Sequence, residues 1–225
     1  MAKVLAILTD GFEEIEAVVP IDLLRRAGAD ITIAALTPSR DTREGGAAPL
    51  AITGRCGMVL QAECTLAAAL TDGVERYDCL LLPGGPGVKT LRASPTVLDA
   101  VRQQHAAGRL VAAICAAPLV LLDAGILGGG RPVQQQGGPR YTAHASVIDE
   151  LPEILANEAV VVDEGGASEA GEANGESRAG GPIVTSRGVG TALEFGLVLV
   201  ERLMGRALSE KIASEIHMTH YVLTK

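Results

Sequence analysis

Short, almost wholly apolar runs recur along this chain: Val4–Leu8, Ile31–Leu36, Cys79–Leu82 and Leu110–Ile114. Runs of this length suit strands better than helices, and strands without polar alternation are buried on both faces. Helical patterns lie between and after them. One covers Glu13–Ala27, with Ile15, Val18, Val19 and Leu23 read as its buried face and a kink expected at Pro20. Another starts at Ser94-Pro95, an N-cap and first-turn proline, and runs to about Ala107. A third follows Leu110–Ile114 directly and reaches about Ala124. Met58–Leu60 reads as a short strand. In the last third, Ala159–Val162 and Ile183–Thr185 read as strands across a long connection. Thr191-Ala-Leu-Glu194 has the spacing of a capping box, so a helix is expected from there to about Met204, with a final one over Ser209–His217. Parallel strands need long, usually helical, right-handed crossovers. The alternation therefore predicts an α/β fold: a mostly parallel sheet with helices on both faces.

The 225 residues suit a single domain, 1–225, and a 48% apolar content can build its core. Segments 128–138 and 163–181 lack apolar period and read as loop insertions; the second is strongly acidic. The net charge of −8 argues against a nucleic-acid or anionic-membrane partner. The four cysteines form no Cys-x-x-Cys pair, Val4–Leu8 is too short for a signal h-region, and the apolar run Leu110–Leu122 is too short to span a bilayer. The expectation is a reduced, cytoplasmic protein.

Cys115 stands where a buried strand meets a helix, in Leu-Val-Ala-Ala-Ile-Cys-Ala-Ala-Pro. This is the setting of a nucleophile elbow, which presents its side chain at the carboxyl edge of the sheet. A helix N-terminus beneath the sulfur would favour thiolate and lower its pKa. Glu13, Glu14 and Glu16 follow the first strand and reach the same edge. Glu16, with Val19, Pro20 and Leu23 at i+3, i+4 and i+7, should point into an apolar layer, where a carboxyl is held protonated. Glu14 has Val18 and Ile21 similarly placed, so pattern leaves the two acids open. Pro83-Gly84-Gly85-Pro86-Gly87 closes another strand on this rim and can bring backbone N–H groups to a substrate oxygen. Among the histidines, His144 is the imidazole candidate. His105 reads as surface or partly packed, and the His217/His220 pair lacks a third ligand, so no metal is expected.

Taken together, Gly11–Gly28, Leu80–Gly85, Ala112–Pro118 and Thr185–Phe195 resemble the ThiJ/PfpI superfamily, in the branch of the Parkinsonism-associated deglycase. The resemblance implies a flavodoxin-like three-layer sandwich, usually a homodimer. It implies Cys115 as nucleophile, Glu16 as the protonated glutamate beside it, and Gly84, Gly85 and the Ala116 N–H as oxyanion donors. His144 corresponds to the family histidine. Ala116 stands where the peptidase branch has histidine, which argues against a peptidase. The implied activity is a cofactor-independent glyoxalase or deglycase acting on methylglyoxal, glyoxal or their protein adducts. The alternative is a cysteine-based oxidative-stress sensor or redox-regulated chaperone.

Overall fold

The computed structural model describes residues 1–36, 50–127, 138–151, 154–155, 157–165 and 180–218. The loop readings at 128–138 and 163–181 fall largely outside these residues, as does His220. In chain order the strands are β1 (Lys3–Leu8), β2 (Asp30–Ala35), β3 (Ala51–Thr53), β4 (Val59–Gln61), β5 (Cys64–Thr65), β6 (Cys79–Leu82), β7 (Leu110–Ile114), β8 (Val160–Asp163) and β9 (Ile183–Ser186). The helices are α1 (Glu14–Arg26), α2 (Leu66–Ala69), α3 (Val88–Arg92), α4 (Pro95–Ala106), α5 (Pro118–Asp123), α6 (Ala192–Met204) and α7 (Arg206–Glu215).

Seven strands form one sheet in the order β5-β2-β1-β6-β7-β9-β8. All its pairs are parallel except β8–β9 at one edge, which is antiparallel. β3 and β4 make a separate antiparallel hairpin. Side chains alternate across the central strands as the pleat requires. Val4, Ala6, Leu8, Cys79, Leu81, Ala112 and Ile114 enter one core, with α1, α6 and α7. Leu5, Ile7, Leu80, Leu82, Val111 and Ala113 enter the other, with α2, α3, α4 and α5. The architecture is the flavodoxin-like three-layer sandwich expected. α1 and α6 pack closely because Gly196 has no side chain; a Cβ there would stand 3.0 Å from the Pro20 Cα.

Three local readings need correction. α1 continues through Pro20, but its buried face is Ala17, Pro20, Ile21, Leu23 and Leu24 together with Glu14 and Glu16, while Ile15 and Val18 are each 43% exposed. Hydrogen-bonded carboxylates occupy inward positions, so the apolar spacing misplaces the face. The capping box does not form. Thr191 gives α6 no side-chain cap, because its hydroxyl bonds Ser186 Oγ at 2.6 Å and the Gly188 backbone instead. Finally, α5 starts at Pro118, three residues later than a helix directly following the strand.

Arg92 at the end of α3 ties two further segments together. Its guanidinium donates to Asp123 of α5 (2.5 and 3.1 Å) and to Glu150 (2.7 and 3.1 Å), downstream of His144. Asp123 foremost, then Glu150, hold it firmly protonated. A bidentate, three-membered network contributes more than an isolated surface pair. Arg92→Ala should lower stability by about 1–2 kcal/mol, read as a shift in urea midpoint, and the deficit should shrink in high salt.

Candidate active site

The elbow is built as its sequence suggests, with backbone strain at its tip. Cys115 has φ +66°, one of two described non-glycine residues in the left-handed region. That conformation costs an L-residue roughly 1–2 kcal/mol and persists only when its surroundings fix it. Here the Cys115 N–H donates to the Ser186 carbonyl and the Cys115 carbonyl accepts the His144 N–H, both at 2.9 Å. Strand β9 and the segment before Ala145 thus clamp the turn from two sides.

Each carboxylate of the first α1 turn has its own task. Glu13 caps the helix, its Oε2 accepting the Glu16 N–H at 2.8 Å. Glu14 is buried under the β3–β4 hairpin, where Oε1 accepts the Cys56 N–H at 2.7 Å. Burial would raise its pKa, but the N–H groups of Glu14, Cys56 and Met58 outweigh this and lower it. Glu16 is 0% exposed; its Oε2 accepts the Gly84 N–H at 3.0 Å, its Oε1 has no hydrogen-bond partner among the described residues, and the carboxyl lies beside Cys115. The ambiguity between Glu14 and Glu16 is thereby resolved by geometry: Glu16 is the one beside the cysteine.

Gly84 is a correction. Its N–H is spent on Glu16 and does not face the cavity, so it is no oxyanion donor. Its missing side chain matters instead, since a Cβ there would lie 2.5 Å from Glu16 Oε2 and 2.6 Å from Cys115 Cβ. The N–H groups of Gly85 and Ala116 do act on the sulfur, and both favour its anionic form. They come from turns, with no helix N-terminus at residue 116, because α5 begins only at Pro118.

Burial pushes the Glu16 carboxyl up from 4.5 to about 7, and the Glu13 charge adds to this. The lowered thiol pKa expected from sequence is not what the surroundings produce while Glu16 is ionised. Burial first, then the Glu16 charge and its hydrogen bond, push Cys115 up to about 12 against the two N–H groups. Across neutral pH the sulfur therefore keeps its proton while Glu16 passes from acid to carboxylate, each charge opposing the other. With Glu16 protonated its repulsion is gone, and the Gly85 and Ala116 N–H groups are left to favour the thiolate against burial.

A cavity of about 550 Å³ opens beside them. Its walls include Glu16, Cys115, Gly85, Ala116 and His144, so five of the residues singled out from sequence meet there. His144 is exposed, and its Nδ1 accepts the Ser146 N–H at 3.2 Å and lies 2.8 Å from Ser146 Oγ, which places the ring proton on Nε2. Its Cδ2 would be 3.5 Å from a Cβ at Gly188, as would Glu16 Oε1. Sequence reasoning missed Arg55 and Arg187, which line the same cavity. Arg187 lies inside the Thr185–Phe195 block, a usable signal; Arg55 has only flanking turn glycines, Gly54 and Gly57. His105 is structural, packed beneath Gly180. His217 sits just beyond α7, in the left-handed region.

The sequence matches the DJ-1/PfpI family over residues 2–202. It is 32% identical over 218 residues to the Parkinson disease protein 7 homolog of Danio rerio, covering 95% of this chain and 96% of that protein. It is also 32% identical over 133 residues to the glutathione-independent glyoxalase DJR-1.2 of Caenorhabditis elegans, covering 57% of this chain and 56% of that protein. Among solved structures, Drosophila melanogaster DJ-1beta superposes with a TM-score of 0.73 at 29% identity, covering 96% of this chain and 97% of the other. Toxoplasma gondii DJ-1, in an oxidized form, superposes with 0.73 at 28% identity, covering 96% and 98%.

Glu16 ionises near 4.5 when unfolded and near 7 when folded. The folded chain keeps the proton across that window, so this group's contribution to stability falls as pH rises through it. Glu16→Gln should therefore raise the Tm at pH 8, by an amount corresponding to at most about 3 kcal/mol, and leave it nearly unchanged at pH 4. Thermal melts at the two pH values check this.

Proposed function

Since this chain belongs to the DJ-1/PfpI family, we propose that it is a cofactor-independent glyoxalase, or deglycase-like enzyme, acting on small dicarbonyls. The observation that carries the reading is the buried Glu16 carboxyl beside Cys115 at the wall of an open cavity. In the reactive form the Cys115 thiolate attacks the aldehyde carbon of methylglyoxal. A C–S bond forms and the aldehyde oxygen becomes an alkoxide, facing the Gly85 and Ala116 N–H groups. Glu16 gives this oxygen its proton, producing a hemithioacetal. The Glu16 carboxylate then removes the C1 proton, and the electron pair moves into an enediol-like state. Return of a proton at C2 leaves a thioester of lactate. Water cleaves the C–S bond, releasing lactate and the thiol. His144, with its proton on Nε2, assists the proton movement across the oxygens. No metal or nucleotide enters the scheme.

A second reading draws on the same sulfur: Cys115 as an oxidation sensor. Two hydroperoxide molecules would each deliver one oxygen to the thiolate, giving a sulfinate and two waters. The donors of Gly85 and Ala116 and a neutral Glu16 suit that anion, and the solved structure of Toxoplasma gondii DJ-1 is of an oxidized form.

We also propose a homodimer. Ile15, Val18, Val189 and Leu193, at the starts of α1 and α6, are exposed and apolar, as a self-complementary face requires. Light scattering should give twice the chain mass, and Val18→Glu should shift it toward the monomer. Among the described residues no helix is long and apolar enough to cross a membrane; a cytoplasmic location is part of the proposal.

The deciding measurement is lactate formation from methylglyoxal. Wild type should turn over, Cys115→Ala should be inactive, and Glu16→Gln should fall by about 10²–10⁴-fold through loss of the acid–base group. Wild type giving no lactate above buffer, while peroxide adds two oxygens selectively at Cys115, would favour the sensor instead.

A further inference from the structure

The charges around the cavity exceed what a neutral dicarbonyl needs. Three carboxylates stand near the start of α1, but two are committed elsewhere: Glu13 to the Glu16 N–H and Glu14 to the hairpin. Neither lines the cavity; the carboxyl that does, Glu16, is buried beside Cys115. Two guanidinium groups, Arg55 and Arg187, also line it. Arg55 lies close enough to Glu16 to act on its charge, yet has no ion-pair partner among the described residues.

Arg55 is also held in place. Its N–H donates to the Phe12 carbonyl at 2.8 Å, and the Gly11 N–H donates to Thr53 at 2.8 Å. The Thr53 N–H reaches Asp10 Oδ1 at 2.9 Å, and the Cys56 N–H reaches buried Glu14 at 2.7 Å. Gly54 presses so close to Glu14 that a Cβ would lie 2.3 Å from its Oε1. Glu14 is thus the anchor of the turn that delivers Arg55 to the cavity. The volume of about 550 Å³ far exceeds what methylglyoxal would fill, leaving room for a further group.

From this juxtaposition we infer that the cavity also takes ligands that carry an anionic group bound by Arg55, of the class of short oxo acids, with their carbonyl at Cys115. The inference deepens the reading above and rests on the same site. A guanidinium matches a carboxylate in shape and charge, and an unpaired one in a partly enclosed cavity attracts it most. Bound this way, the anion fixes which carbon meets the sulfur.

Iodoacetate and iodoacetamide test this without turnover, because they differ in carrying a carboxylate or a neutral amide. Their alkylation rates at Cys115 are read by peptide mass spectrometry on the full chain, which separates Cys115 from the exposed Cys56. The rate ratio is then divided by the same ratio for N-acetylcysteine. The expected normalised ratio is about tenfold above one in wild type, near one in Arg55→Gln, and intermediate in Arg55→Lys. Glyoxylate should likewise protect Cys115 from iodoacetamide better than glyoxal does, and lose that advantage in Arg55→Gln. A wild-type ratio at or below one, or one unmoved by Arg55→Gln, overturns the inference. Lactate formation with no anion preference would overturn this inference alone. Anion preference without lactate formation would leave it standing and remove the glyoxalase reading.

Discussion

The site depends on one buried contact. The Glu16 carboxyl is pinned by the Gly84 N–H on one oxygen and lies buried beside the Cys115 thiol. Burial alone would make both groups plain acids with their protons attached. Bringing them together changes the chemistry, since a proton leaving one is favourable only where the other retains its own. The state of each group is thus set by the other, with Arg55 close enough to favour the carboxylate. The cost is a left-handed cysteine and a glycine that tolerates no side chain.

The rest of the architecture keeps that contact in register. Parallel strands β1, β6 and β7 lie side by side, so the loops that follow them converge on one edge. The first supplies Glu16, the second Gly84 and Gly85, the third Cys115. Two further elements add the remaining walls: the segment after β9 brings Arg187 and Gly188, and the β3–β4 hairpin brings Arg55. Division of labour among Glu13, Glu14 and Glu16 follows from the 100° turn of the helix. Adjacent carboxylates point in different directions and find different donors.

Much of this was legible in the residues. Uninterrupted apolar runs marked β1, β6 and β7 nearly to the residue, because strands covered on both faces need no polar alternation. The elbow followed from strand, small residues and proline in succession. What could not be read were features set by tertiary partners. The buried face of α1 was misread because two of its inward positions hold carboxylates whose donors lie in distant loops. Thr191 carried a helix-start spacing but bonds Ser186 instead. Gly84 looked like a donor, yet its N–H belongs to a side chain 68 residues away. The thiol's response to its neighbour likewise depends on distance and burial, which no spacing encodes. Arg55 had no local signature, because its place depends on Glu14 holding the turn.

The clamps on Cys115 carry a consequence for the nascent chain. Residue 115 acquires its active geometry only through Ser186 and His144, while its acid comes from residue 16. A ribosome-bound fragment lacking the ninth strand has the sulfur and the acid, but not the support that bends the backbone between them. The bent backbone at residue 115 therefore arrives late in synthesis, as a property of the finished sandwich, and shorter fragments lack it.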